Sequence, residues 1–447
     1  MAYNVNVRRV CLDSLVLVME DKKFLNEVLS DTLSRYQYLE KNKRSYISRM
    51  LRGTVERYIE LDACISAYST TKINKLNPYI RNILRLAIYE LRYMDSIPDS
   101  ATCNEYVKLA KKKAPDRLSG FVNGILRSMI RSNFDKVHLR ENEVYSMPKW
   151  IYDKFEEEYG DAKGICRAFL DDNKLTIRVN TAKCEPDILK AQLESQGIKV
   201  TSIGAGDILD SEGNRESVSL DSAFAIDNVD YLEGLEPFRE GLFYVQDISS
   251  MMVGLKADVK AGSIIVDVCA APGGKSLHMA ELLTRYEKDA ASEEKGHVYS
   301  FDVSDGKVEL IEENIARAGL DNVSVSVWDA RVSNPKLIGK ADIVIADLPC
   351  SGLGVIGKKP DIKSRVKIED IDELSALQQE ILNVCKDYVK PDGILMYSTC
   401  TISKAENTDN VRRFLDSNRD FVLEEERQYM PTKLHDGFYI ARLHRNT

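Results

Sequence analysis

The chain has 447 residues, 44% of them hydrophobic and 30% charged, and a formal net charge of −8 from 62 basic and 70 acidic side chains. That length suits about three domains at roughly 150 residues each, and the balance excludes a disordered, collagen-like or membrane-embedded chain. The acidic total argues against a polyanion partner, yet residues 1–140 hold 25 Lys and Arg against 15 Asp and Glu, so this end alone can meet one.

Residues 1–135 read as helix throughout. The apolar run 10–19 after Arg8-Arg9 is broken by Asp13 and lacks a small-x-small cleavage site. Its apolar residues recur at 7, 10, 11, 15 and 18, the spacing of an amphipathic helix rather than a signal peptide. Ile80, Ile83, Leu84, Ala87, Ile88 and Leu91 line one helical face, and Leu118, Phe121, Val122, Ile125, Leu126, Met129 and Ile130 line another. Asn77-Pro78 and Pro115-Asp116 mark the two helix starts. Arg81, Arg85 and Arg92 share a face, and Lys111, Lys112 and Lys113 form a second basic cluster. Such charges are usually a solvated surface; with the regional excess they become candidate RNA contacts.

Residues 141–240 read as a small α+β module. A helix runs from Pro148 to Tyr159, a strand spans 175–180, a helix spans 185–196, and strand resumes at Ile198. This module lacks an aromatic RNA-binding motif, so its expected role is linking or positioning.

From Gly241 the rhythm is strand, helix, strand. Apolar runs at 264–268, 298–301, 323–327, 343–346 and 394–397 alternate with helical stretches near 275–285, 305–318, 370–389 and 404–417. This predicts an open, mostly parallel sheet with helices on both faces and a terminal antiparallel pair around 421–423 and 437–443. The polar stretch 285–296 is expected as a mobile loop. No run reaches 18 uninterrupted apolar residues, so no membrane span is predicted.

In such a sheet, ligands bind beyond the carboxyl ends of the strands. The first strand ends in D-V-C-A-A-P-G-G-K-S, where Gly273 and Gly274 let backbone amides approach a ligand at a helix start. This is neither a dinucleotide fingerprint nor a P-loop. Asp302 and Asp329 end the next two strands, suited to a ribose and an adenine amine. The fourth ends in D-L-P-C-S-G, from Asp347, and the fifth in Y-S-T-C-T, to Thr401, which brings Cys350 and Cys400 to one cleft. The nine cysteines include no C-x-x-C pair and are odd in number, so neither a disulfide framework nor structural zinc is expected and a reducing cytosol fits. Cys11, Cys64, Cys103 and Cys385 read as small core residues.

The set C-A-A-P-G-G-K, D-L-P-C-S-G and S-T-C-T resembles the RNA cytosine-C5 methyltransferases that use two cysteines. The helical first region, with V-N-G-I-L-R at 122–127, is similar to the antitermination factor NusB, and together the likeness covers nearly the whole chain. It implies a NusB-like all-α bundle over 1–140, a small α+β domain over 141–240, and an α/β Rossmann-like methyltransferase domain over 241–447. It further implies an S-adenosylmethionine-dependent enzyme of the cytoplasm acting on 16S ribosomal RNA, unassembled or partly assembled, as a monomer without metal.

The cofactor site implied is Cys269, Ala270, Ala271, Pro272, Gly273, Gly274 and Lys275, with Asp302, Asp329 and Asp347. Cys400 becomes the nucleophile, Asp347 the group at N3 of the base, and Cys350 the residue that assists release. Sequence alone leaves the two cysteines interchangeable, because DNA cytosine methyltransferases use a P-C cysteine, which here is Cys350. Residues 357–367 carry five cations against one acid, and Lys358, Lys359 and Lys363 are candidate RNA contacts. Lysine at 358 and 359, where the family commonly has arginine, keeps charge but loses the bidentate fork. Three alternatives stand beside this: another RNA such as tRNA as substrate, an N-methyltransferase, and a NusB-like regulator with a non-catalytic domain. The second lacks its Pro-Pro-aromatic loop, since Leu348-Pro349-Cys350 stands there; the third sits badly with intact Lys275, Asp347, Cys350 and Cys400.

Overall fold

The computed structural model describes residues 5–229, 231–290 and 295–447, the Asp116 side chain aside. It divides into two compact units, Met1–Leu170 with Ile356–Val366, and Asp171–Val355 with Lys367–Thr447. These units do not follow the three sequence regions.

In the first unit six helices, α1 (Val7–Met19), α2 (Leu25–Arg35), α3 (Lys41–Tyr68), α4 (Pro78–Tyr93), α5 (Asp99–Lys113) and α6 (Asp116–Ser132), are followed by the short α7 (Glu141–Val144), α8 (Lys149–Tyr159) and α9 (Ala162–Ala168). Helix α1 buries Cys11, Leu12, Leu15 and Val18 on one side, as its periodicity requires. At the start of α4 the Asn77 side-chain oxygen accepts from the amides of Tyr79 and Ile80, and Pro78 occupies a position whose N–H has no helical partner to lose. Leu15, Leu84 and Leu126 are fully buried in one core, where truncation to alanine costs about 2–5 kcal/mol.

The second unit opens with a four-stranded antiparallel sheet, β1 (Leu175–Val179), β2 (Lys199–Ser202), β3 (Ala223–Asp227) and β4 (Phe243–Val245), in the order β2-β3-β1-β4, with α10 (Pro186–Ser195) and α11 (Glu236–Arg239) in its connections. Helix α12 (Ile248–Leu255) leads into β5 (Ile264–Asp267), α13 (Gly274–Ala290), β6 (His297–Asp302), α14 (Asp305–Ala318), β7 (Val323–Val327), β8 (Ala341–Asp347), α15 (Ile368–Cys385), β9 (Val389–Thr399), α16 (Thr408–Ser417), β10 (Phe421–Tyr429) and β11 (Phe438–Arg445). The seven strands lie in the order β10-β11-β9-β8-β5-β6-β7 and all run the same way except β11, which is antiparallel to both β9 and β10. Each buried strand feeds two cores by alternation. Ile265, Ile343 and Ile394 join α12 and α13 on one face, while Val266, Val344 and Leu395 join α15 and α16 on the other.

Two expectations are corrected. The stretch 285–296 is helical through Ala290, because Leu283 and Glu287 are buried and the Glu287 carboxylate accepts from the Gly296 amide at 2.6 Å; residues 291–294 lie outside the described residues. The helix expected from 404 starts only at Thr408, since Glu406 and Asn407 turn inward to bond the strand ends instead.

Candidate active site

The parallel order places β5 between β6 and β8. The chain runs outward through β6 and β7, then crosses to β8 on the other side. The carboxyl ends of β5 and β8 therefore flank the switch point, the place where open α/β sheets bind their ligands. At the end of β5 the turn 268–273 is held from both neighbours. The Val268 amide donates to Ile345, the Ala270 amide to Phe301, and the Ala271 amide to the Asp302 carboxylate at 3.1 Å. Gly273 sits at φ +100°, and a Cβ there would lie 3.3 Å from Ile311. A side chain there would crowd Ile311 of α14 in a backbone conformation that other residues rarely adopt, so the turn requires glycine.

Asp267, below that turn, is fully buried. Its carboxylate accepts from the Ser276 hydroxyl at 2.7 Å, and burial pushes its pKa up to about 7. Cys269 is half-buried, with its thiol pushed well up by burial. Asp302 also accepts from the Val303 amide at 2.8 Å and faces Lys307 at 3.1 Å. Asp329 lies just beyond β7, and bonds from the Arg331 guanidinium hold its carboxyl at about 2.

Asp347 ends β8. One carboxylate oxygen accepts from Lys275 Nζ at 2.6 Å and the other from the Ser398 hydroxyl at 2.8 Å, so the acid is oriented from both adjoining strand ends. Lys275 in turn lies over the Phe438 ring, 5.2 Å from its centroid. Three residues on, Cys350 Sγ is 3.3 Å from Cys400 Sγ. The hydrogen bond with Cys400, then burial and the nearby Glu406 carboxylate, hold the Cys350 thiol well above its ordinary range. Close approach makes the pair possible: a Cβ at Gly354 would come within 2.1 Å of the Gly437 carbonyl and 2.9 Å of the Cys400 carbonyl.

The structure thus brings together the turn 269–275, Asp302, Asp347, Cys350 and Cys400. Of the expected basic residues, Arg81, Arg85, Arg92 and Lys363 are engaged within the helical unit. Arg81 pairs with Glu20 at 2.5 Å, Arg85 is buried and bonds both oxygens of Asp62 at 2.7 Å, and Arg92 pairs with Glu60 at 3.0 Å. Those guanidiniums are thus engaged by acids of the helical unit itself. Lys363 is buried too, donating to the carbonyls of Glu56 at 2.6 Å and Ser146 at 3.0 Å, with burial lowering its pKa to about 8. Lys358 is half-buried and Lys359 exposed.

Sequence reasoning missed Ser398, Phe438, Ser351, Thr401 and Glu406. The hydroxyls flanking both cysteines were the available signal; Glu406 carried none, because its partner Ser351 is 55 residues away.

Residues 255–444 match the family model described as 16S rRNA methyltransferase RsmB/F, residues 5–131 match the NusB family, and residues 147–209 match a RsmF/B-like ferredoxin-like domain. The chain is 32% identical over 425 residues to the probable ribosomal RNA small subunit methyltransferase B of Bacillus subtilis, covering 93% of this chain and 89% of that protein. The chain belongs to this methyltransferase family. A Synechocystis relative of the same description is 30% identical over 90% of this chain and 91% of its own. Among solved structures, PH0851 superposes with a TM-score of 0.80 over 99% of both chains at 23% identity. NSun6 from Pyrococcus horikoshii with SFG gives 0.55 over 67% of this chain and 98% of that one at 24% identity. S-adenosylmethionine is the cofactor of this methyltransferase family, and the turn 269–275 beside Asp302 leads into the start of α13, where a nucleoside-bearing group can lie.

Proposed function

We propose that the protein methylates C5 of a cytosine in 16S ribosomal RNA through a covalent adduct between Cys400 and C6 of the base. The observation that carries this reading is the pair of thiols 3.3 Å apart at the ends of adjacent strands, three residues from Asp347. C5 of cytosine is too electron-poor to accept a methyl group directly, so a nucleophile must first add at C6. S-adenosylmethionine supplies an electrophilic methyl group when bound, held in this reading by residues 269–275, Asp302, Asp329 and Asp347.

Cys400 forms the S–C6 bond as its thiolate, which at a free thiol pKa of about 8.5 the site must favour. Asp347 holds or protonates N3 and draws charge off the ring. Once C5 carries the methyl group, its proton leaves, the C5–C6 double bond re-forms, and the S–C6 bond breaks, with Cys350 assisting this release. The target base reaches the pocket single-stranded or flipped out.

In this reading the basic first region grips RNA, the small α+β region positions it and the last region performs catalysis. Lys111, Lys112, Arg117, Arg127 and Arg131, all exposed on α5 and α6 or their junction, replace the paired arginines as phosphate-binding residues. RNA carrying 5-fluorocytosine tests the mechanism: the protein with S-adenosylmethionine should form a denaturation-resistant complex, and its absence overturns the adduct. Bisulfite mapping of ribosomal RNA from cells with and without the gene tests the substrate, and a mark missing from another RNA overturns it.

A further inference from the structure

Glu406 is buried without exposed surface, yet its carboxylate reaches the turns that carry both cysteines. One oxygen accepts from the Ser351 amide at 2.8 Å and from Gln378 Nε2 at 3.2 Å; the other accepts from the Ser351 hydroxyl at 2.5 Å. The Ser351 and Thr401 hydroxyl oxygens are 2.8 Å apart. Ser351 has one hydroxyl proton, which goes to Glu406, so Thr401 donates to Ser351. Because Ser351 follows Cys350 and Thr401 follows Cys400, the chain Thr401 to Ser351 to Glu406 ties together the two residues that adjoin the thiols. Gln378 extends it to the Pro349 carbonyl at 2.9 Å, and Asn407 fixes the Thr401 carbonyl at 3.0 Å.

We propose, resting on the two-cysteine reading, that Glu406 is a positioning residue: through Ser351 and Thr401 it locks the turn bearing Cys350 against the turn bearing Cys400. A second consequence follows from where its charge lies. A carboxylate beside Cys350 disfavours a thiolate there, and two thiols this close do not both ionise readily.

Two substitutions in the full-length protein separate position from charge. In Glu406→Gln the amide oxygen can keep the Ser351 amide and the amide nitrogen can donate to its hydroxyl, so shape is retained while charge is removed. Ser351→Ala retains the charge and cuts the link to Thr401. We expect Ser351→Ala to slow trapping of 5-fluorocytosine RNA at least tenfold at saturating RNA and S-adenosylmethionine, with KM for both within twofold. Glu406→Gln should move Cys350 alkylation by iodoacetamide, followed by mass spectrometry, to lower pH. Ser351→Ala should leave that alkylation profile near native.

Trapping within twofold of native in Ser351→Ala overturns the positioning role, and an unchanged Cys350 profile in Glu406→Gln overturns the electrostatic one. Should Glu406→Gln fail to fold, Thr401→Val with Ser351→Ala decides, native rates in both being the contrary result. If native protein traps no RNA, the two-cysteine reading fails instead, while the alkylation profiles still test Glu406.

Discussion

In the helical unit, charged side chains close on one another inside the bundle. Arg85 and Asp62 form a two-bonded pair at 2.7 Å, and Glu90 accepts from Arg8, Thr102 and Tyr106 at 2.7, 2.6 and 3.2 Å. In the sheet unit, the acids Asp302, Asp329 and Asp347 stand at or just past strand ends, and Asp347 is oriented by Lys275 and Ser398. The difference is one of architecture. Bundle helices face each other along their length, so a cation on an inner face meets an anion on the next helix. Parallel strands all end on one side, so polar groups placed after them converge there whatever their separation in sequence. Charge totals therefore describe the first region poorly, while strand-end positions describe the second well.

The comparison breaks first if the strand-end residues do not share one chemistry. Cys400→Ala should abolish the 5-fluorocytosine complex on denaturing gels, and survival of the complex would move the nucleophile elsewhere. Cys350→Ala should have the opposite sign: with ordinary RNA and S-adenosylmethionine the adduct should accumulate, because addition persists while release is impaired. Rapid release in that variant would remove Cys350 from the elimination step.

Next in size is the helical unit. Arg85→Ala leaves the Asp62 carboxylate without its guanidinium, and breaking such a pair typically costs about 3–5 kcal/mol. The unfolding midpoint in urea should fall accordingly, while the salt dependence of RNA binding by the folded protein stays unchanged. The triple variant of Lys111, Lys112 and Arg127 to Ala should do the reverse. Its stability should stay within about 0.5 kcal/mol, and the slope of log affinity against log salt should shrink by roughly 0.7–0.9 for each phosphate no longer neutralised. A salt slope that responds to Arg85 rather than to the exposed cations would restore the paired arginines as RNA-binding residues.

The strands, their order of appearance and the helices between them were legible because burial on two faces imposes apolar runs on β5, β8 and β9, and the motif residues sit where those runs stop. The cysteine pair was legible for the same reason. The basic residues were not: spacing places Arg81, Arg85 and Arg92 on one face, but nothing local shows that Glu20, Asp62 and Glu60 from other helices or their ends meet them. Lys363 was hidden in the same way, because a cation-rich stretch reads as surface unless its distant carbonyl partners, Glu56 and Ser146, are known. Glu406 was read as helix since local propensity cannot anticipate a buried bond to Ser351.

A smaller effect sharpens the comparison from the sheet side. Asp267 also ends a strand, yet it points into the core rather than the crevice, with burial raising its pKa to about 7 against about 4 in the unfolded chain. Below pH 4 both states hold the proton. Between about 4 and 7 only the folded state does, so stability associated with this group declines as pH rises and levels off above about 7. A shift of about three units corresponds to roughly 4 kcal/mol at most. Asp267→Asn preserves an acceptor for Ser276 and removes the titration. Its urea stability relative to the native protein should therefore improve as pH is raised from 5 to about 7 and level off above that. A difference that stays constant over that range would mean Asp267 is ionised in the folded protein throughout, held by Ser276 and Lys275, and that all four strand-end acids belong to one charged cluster.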